Sequence, residues 1–241
     1  MPRELLLLSN SYVFGRGFLE HAREEIASIM GERRRLLFFP FASQDHDGYT
    51  RRMREAMAPL GITVEGAHRQ RDLPEAVRAA EAIFVGGGNT FRLVRALRDL
   101  EVVDAIRTQV GQGTPYLGAS AGSNVACPTI RTTNDMPIVE PGSFAAIGLI
   151  PFQINPHYVD PQPGSTHMGE TREERLLQFL EENDVPVLGL REGSWLRVAG
   201  ERAELGGAAG ACLFLRGQPP EEHAVGADLS WLLATEPRFA E

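Results

Sequence analysis

Tyr116-Leu-Gly-Ala-Ser-Ala-Gly122 decides how the rest of the chain is read. A short apolar run leads into a serine with a glycine two residues away on either side, the pattern G-x-S-x-G. When this pattern follows a buried strand and opens a helix, a strained turn lifts the serine hydroxyl clear of the sheet, a nucleophile elbow. Residues 118 and 122 must then be small, because a side chain at either would run into adjoining backbone. The other reading of the motif is a glycine-rich turn that merely packs or binds an anion.

Upstream of this point apolar runs alternate with amphipathic stretches, which predicts an α/β fold: repeated strand–helix units around a mainly parallel central sheet flanked by helices. Glu4–Leu8 reads as the first buried strand. Phe18, Leu19, Ala22, Ile26, Ile29 and Met30 recur at helical spacing, and Gly31 stops that helix. Residues 36–41 form a second apolar run, 49–60 a second helix and 62–64 a third strand. Residues 82–85 form a fourth strand that runs into Gly86-Gly87-Gly88. Asn89 then caps a helix with an apolar face of Phe91, Val94 and Leu97. A helix over 102–110 leads to the fifth strand at Tyr116 and Leu117, whose end is the serine turn.

Downstream, prolines from Pro128 to Pro163 replace long helices with loops and short strands. A Thr171-x-x-Glu174 capping box opens one clear helix through Leu176, Leu177 and Leu180. Residues 187–190 read as a further strand, and 195–215 alternate, with Gly206 and Gly207, as C-terminal antiparallel hairpins. With 43% hydrophobic residues in 241, one core suffices, and residues 1–241 are read as a single catalytic domain.

All 24 basic residues are arginine. No lysine is present to form a Schiff base, serve a P-loop or act as base for a serine. The net charge of −8 and the scattered arginines offer no stripe for a nucleic-acid backbone. Cys127 and Cys212 form no metal or disulfide pattern, and Cys127 is expected to face the core behind the serine turn. The triplet Asp45, His46, Asp47 has no second ligand cluster and reads as a solvated loop. No metal or cofactor is expected. No run approaches a membrane span, and residues 5–8 are too short for a signal-peptide core. The chain reads as cytoplasmic.

A serine nucleophile needs a base, and the base an orienting acid. His157 and His167 are the downstream histidines. His157 is favoured, because residues 152–156 form a strand running into a turn, whereas Pro163-Gly164-Ser165-Thr166 before His167 is flexible.

These segments resemble a known family. Residues 120–139, Gln153-Ile-Asn-Pro-His157, Gly169-Glu-Thr-Arg-Glu173 and Gly86-Gly-Gly-Asn-Thr90 look like peptidase E, the α-aspartyl dipeptidase family of serine peptidases. The likeness extends to Leu5-Leu-Leu-Leu-Ser-Asn10 and Glu192-Gly-Ser-Trp195 and so covers nearly the whole chain in order. It implies a cytoplasmic hydrolase of dipeptides with an N-terminal aspartate, on a fold related to class I glutamine amidotransferases and without metal or cofactor. It carries the nucleophile to Ser120 and the histidine to His157. The acid stays open: the family places an aspartate of Asn-Asp-Met-Pro, here Asp135, in the relay, while the related fold pairs the histidine with a later glutamate, here Glu192. Physical reading favours Glu192, which directly follows a strand.

An oxyanion hole needs two aimed N–H donors. Ala121, just after the nucleophile, supplies one by elbow geometry, and Gly88 at the end of the neighbouring strand supplies the other, with Asn89 beside it as cap and substrate contact. An aspartyl substrate's carboxylates call for guanidinium partners. Arg172, after the cap Thr171 at a helix N-terminus, is the leading candidate and Arg131 the runner-up; Asp135 is an acceptor for the substrate ammonium. The rivals are a β-aspartyl, cyanophycinase-like hydrolase and a non-catalytic small-molecule binder. A homo-oligomer is left open.

Overall fold

Leu5, Leu6, Leu7 and Leu8 are all fully buried, but they do not share one core. Side chains of a strand alternate between its faces. Leu5 and Leu7 pack with Phe91, Val94 and Ile106 on one side, and Leu6 and Leu8 with Ile26, Ile29 and Met53 on the other. The continuous apolar run is thus the mark of a strand covered by helices on both faces. The computed structural model describes residues 3–162, 164, 166 and 168–240.

The run forms β1 (Glu4–Leu8), inside a seven-stranded sheet. β2 (Arg35–Phe39), β3 (Thr63–Gly66), β4 (Ile83–Val85) and β5 (Tyr116–Ala119) complete the parallel part, and the spatial order is β3-β2-β4-β5-β1. Around them stand α1 (Arg23–Met30), α2 (His46–Met57), α3 (Leu73–Arg78), α4 (Thr90–Asp99), α5 (Val103–Gly111) and the four-residue α6 (Ala121–Asn124). α7 (Arg172–Glu182) opens with the expected capping box between Thr171 and Glu174.

Three elements differ from the sequence reading. The first helix begins as a 3-10 turn, Glu20–Ala22, after Leu19 at φ 57°, and the apolar spacing runs through the break because turn and helix bury the same side. α3 was not expected; it is six residues long, capped by Asp72, and buries only Leu73 and Val77, too few positions to show a period. The tail does form antiparallel hairpins, but they are divided between two sheets. β8 (Ser194–Ala199) and β9 (Arg202–Gly207) do form a hairpin, antiparallel to β1. β10 (Ala211–Phe214) instead joins a second, four-stranded sheet in the order β11-β10-β7-β6. There β6 (Gln153–Tyr158) runs parallel to β7 (Val187–Arg191), and β11 (Glu221–His223) lies outermost. α7 covers this sheet, with Leu176 and Leu180 against Tyr158, Val187, Cys212 and Phe214.

β4 and β5 are parallel neighbours, so the glycine loop after Val85 and the serine after Ala119 emerge side by side at one sheet edge. Backbones there nearly touch. A Cβ on Gly122 would lie 2.0 Å from the carbonyl oxygen of Val85, and one on Gly118 would lie 2.6 Å from the carbonyl oxygen of Gly122. Gly122→Ala therefore forces α6 off β4. The expected cost is about 4 kcal/mol or more, equivalent at this chain length to about 10 °C in melting temperature. A thermal melt superimposable on that of the parent would contradict it.

Candidate active site

Ser120 adopts φ 54° and ψ −112°, a conformation that costs an L-residue energy and persists only where surrounding contacts impose it. Here they do. The Ser120 amide donates to the Leu8 carbonyl at 3.0 Å, and its own carbonyl accepts from the amides of Ser123 and Asn124. The buried Ser123 hydroxyl sits 2.6 Å from the Leu8 carbonyl oxygen and 3.0 Å from that of Gly118. Tyr116 donates its hydroxyl to the Gly122 carbonyl at 2.7 Å. The turn is thus tied to β1 and β5 at once. Cys127 faces the core as expected; burial pushes its thiol up to about 12, and its sulfur accepts from the Ile154 amide.

His157 comes from the second sheet and is also held at positive φ, 54°, where β6 shifts register between Pro156 and Tyr158. A bulge of this kind re-aims a side chain. Its amide donates to the buried Ser9 hydroxyl at 2.9 Å, and that hydroxyl donates to the Leu190 carbonyl at 2.8 Å. Glu192 directly follows β7. Arg191, the last residue of β7, is clamped by Asp160 and Glu222, and the Gly193 amide donates to Asn10 Oδ1 at 2.9 Å. Ser9 and Asn10 therefore link the nucleophile's sheet to His157 and to Gly193, the residue after Glu192. Sequence reasoning gave them no role, although two polar residues ending an unbroken apolar strand at the sheet edge were a usable signal.

These side chains meet in a line. Ser120 Oγ lies 3.0 Å from His157 Nε2, and His157 Nδ1 lies 2.6 Å from Glu192 Oε1. A carboxylate can only accept, so Nδ1 carries the ring proton and Nε2 is left as an acceptor for the serine hydroxyl. Beside Ser120, Gly88 is held at φ 134° with no room for a Cβ, which would fall 2.5 Å from the Ala42 carbonyl oxygen. Among the described residues, the amides of Gly88 and Ala121 donate to no protein acceptor. Tyr49 supports this loop by accepting from the Gly87 amide at 2.9 Å.

Asp135 does not touch His157. Its Oδ2 accepts from the amide of Thr90 at 2.7 Å and from the Thr90 hydroxyl at 2.6 Å, at the start of α4. Arg172 is half-buried, and its pKa is lowered by burial and by Arg175 while the charge of Asp135 acts the other way. Among the described residues it forms no ion pair. Asn89 spends both ends of its amide on the protein, accepting from the Arg92 amide and donating to the Met136 carbonyl. Arg131 is elsewhere: it donates to Asn183 and to the Ala240 carbonyl and stacks near Phe144 and Phe239, at the C-terminal tail. The loop after the serine turn thus directs Arg131, the runner-up for the substrate carboxylate, to the C-terminal tail, where its guanidinium is already engaged. His167, the competing base, lies outside the described residues.

A cavity of about 530 Å³ opens over Ser120, His157 and Glu192, and its other walls include Tyr12, Phe18, Tyr49, Gly88, Arg52 and Arg92. The two arginines were not picked out in the sequence. Elsewhere, Asp45 caps α2, and Asp47 pairs with His68 and Arg69 and is held at about 2 by those contacts. Among the described residues no group of three or more His, Cys, Asp or Glu is arranged to hold a metal ion.

Residues 5–206 match the model of peptidase family S51. The chain belongs to that family. As an S51 member it is a serine peptidase, a hydrolase. It is 60% identical over 235 residues to peptidase E of Streptomyces coelicolor, covering 98% of this chain and 97% of that one. It is 52% identical over 234 residues to the Drosophila melanogaster protein named "Probable alpha-aspartyl dipeptidase", covering 96% and 98%. A crystal structure of a peptidase from an acI-B1 actinobacterium shares the fold, with a TM-score of 0.68 at 18% identity over 95% of this chain and 97% of the other. No helix among the described residues of this S51 member is long and apolar enough to cross a membrane.

Proposed function

We propose that this S51 peptidase is an α-aspartyl dipeptidase that releases an N-terminal aspartate through an acyl-enzyme on Ser120. The observation that carries the reading is the serine–histidine–glutamate line, with 3.0 Å and 2.6 Å between its members; the names of the relatives supply the substrate class. His157 Nε2 takes the proton of Ser120 as Oγ attacks the aspartyl carbonyl, and Glu192 stabilises the imidazolium that forms. The N–H groups of Gly88 and Ala121 receive the negative charge on the tetrahedral oxygen. His157 then returns the proton to the leaving amine as the C–N bond breaks. Water, deprotonated by the same nitrogen, hydrolyses the seryl ester.

Arg172 and Asp135 form a pair of opposite charges suited to a residue that carries both a carboxylate and an ammonium. Partial burial of the guanidinium strengthens such pairing. Arg172 takes the aspartyl carboxylate and Asp135 the free α-ammonium. Asn89, with its amide already committed, contributes by holding Gly88 and α4 in place. The buried free thiols Cys127 and Cys212 suit the reducing cytoplasm in which this enzyme would work.

The test is a rate survey over X-Leu dipeptides with Asp, Asn, Glu, Ala, β-aspartyl and N-acetyl-Asp at the first position. Asp-Leu is expected to exceed Ala-Leu by about 10³-fold or more, the discrimination that buried charged partners afford. Arg172→Gln should cut kcat/KM on Asp-Leu by about 100-fold while changing Ala-Leu little. Equal losses on the two, or an acetylated substrate cleaved as fast as the free amine, would overturn this assignment of substrate contacts. Faster β-aspartyl than α-aspartyl cleavage would overturn the proposed linkage.

A further inference from the structure

The cavity over Ser120 has two kinds of wall. Neither Asp135 nor Arg172 lines it. It is bounded instead by the loop after β1 (Ser11, Tyr12), the segment before α2 (residues 42–44) and one face of α2, and the glycine loop with the first turn of α4. Its volume, about 530 Å³, lies in the range of small-molecule sites, about 300–1,000 Å³. Two guanidinium groups line it, Arg52 from α2 and Arg92 from α4. Among the described residues, neither side chain forms an ion pair or donates a hydrogen bond to the protein. The carboxylate that shares the cavity, Glu192, is already occupied by His157. Arg52 is held 5.4 Å over the ring of Tyr49, whose hydroxyl takes the Gly87 amide, so this cation is coupled to the loop that carries Gly88. Arg92 is half-buried, and its charge lowers the pKa of His46, an effect secondary there to burial and to His68.

A peptide bond placed over Ser120 has two sides. The acyl side, on the reading above, belongs to Arg172 and Asp135. The leaving residue must take the other, and in a dipeptide that residue ends in a free carboxylate one Cα beyond the scissile nitrogen. We propose that Arg52 and Arg92 bind this C-terminal carboxylate, so that the cavity they line is the leaving-residue subsite and selects dipeptides over longer chains. In a tripeptide the same position holds a neutral amide, which cannot satisfy two guanidinium groups. Tyr12 and Phe18, a tilted aromatic pair 5.2 Å apart at the cavity wall, would then face the leaving side chain and favour apolar residues there. This inference rests on the proposed aspartyl dipeptidase activity.

The experiment compares Asp-Leu with Asp-Leu-amide in the wild type, Arg52→Gln, Arg92→Gln and the double variant. The wild type should favour the free carboxylate in kcat/KM. Each single variant should lose about 10- to 100-fold on Asp-Leu, the span of one charge-assisted hydrogen bond, with KM carrying most of the loss. The amide, which offers no carboxylate to hold, should lose no more than a few-fold and so also reports an intact active site. Collapse of the preference in the double variant supports the subsite. A wild type that cleaves both substrates alike, or variants that lose both equally, would overturn the inference alone. Failure of the wild type to hydrolyse any aspartyl peptide would overturn the proposed activity and the inference with it.

Discussion

Ser120→Ala should lower kcat on Asp-Leu by about 10⁶-fold while leaving the melting temperature and the affinity for substrate close to those of the parent. The magnitude is that of removing the nucleophile from a serine–histidine relay, where only transition-state binding survives. Structure argues that the loss will be clean. Alanine keeps the Cβ that already packs near Gly87, and it is no more strained than serine at φ 54°. The contacts that impose the turn come from backbone groups of Ser120 and from the side chains of Ser123 and Tyr116, all of which remain. Calorimetric binding of Asp-Leu to the variant, together with its thermal melt, separates lost chemistry from lost structure. Retention of more than about 1% of the wild-type rate would remove Ser120 as nucleophile. Absence of both hydrolysis and peptide binding in the wild type would favour a binding protein for some other small anion.

Most of the parallel half of the fold was legible because β1, β2, β4 and β5 are short apolar runs, whereas β3 alternates and the short α3 after it gave no period. Glu4–Leu8 is found where it was read, and Asn89 caps α4 as expected. The serine turn was legible for a steric reason: only glycines fit at 118 and 122. The second sheet was not, since the apolar run 211–214 declares a buried strand but not which sheet it enters, and here its partner β7 lies about twenty residues earlier in the chain. The bulge at His157 was equally silent, because no glycine marks the positive φ. Among the cations, Arg131 was chosen for standing near the serine in the chain, and it serves the C-terminal tail. Arg52 was not picked out because, within the helix read over 49–60, it stands beside Arg51 and Arg54 with no motif to separate them. What sets Arg52 apart from Arg51 is only that α2 turns it toward the cavity. The absence of lysine still limits the answer: every fixed cation near the nucleophile is a planar guanidinium.

The two acids left open by the sequence can be separated by their kinetic signatures. On the geometry, Glu192→Gln should reduce kcat by about 10³- to 10⁴-fold, and by a similar factor for every substrate. The glutamine is nearly isosteric, but it removes the charge that stabilises the imidazolium. If its NH₂ faces Nδ1, it also reverses the tautomer, leaving an N–H on the nitrogen that must accept the serine proton. Partial exposure of the Glu192 side chain lets solvent share its charge, which argues for the lower end of that range. Asp135→Asn should behave differently. Its carboxylate receives the Thr90 amide and hydroxyl and lies near Arg172, so its loss should weaken binding of the free ammonium and raise KM. An N-acetylated substrate, poor from the start, should be nearly indifferent to Asp135→Asn yet fully sensitive to Glu192→Gln. Should Asp135→Asn instead abolish kcat on all substrates while Glu192→Gln costs less than about tenfold, the proton relay would run through Asp135, and the contact between Glu192 and His157 would be incidental to catalysis.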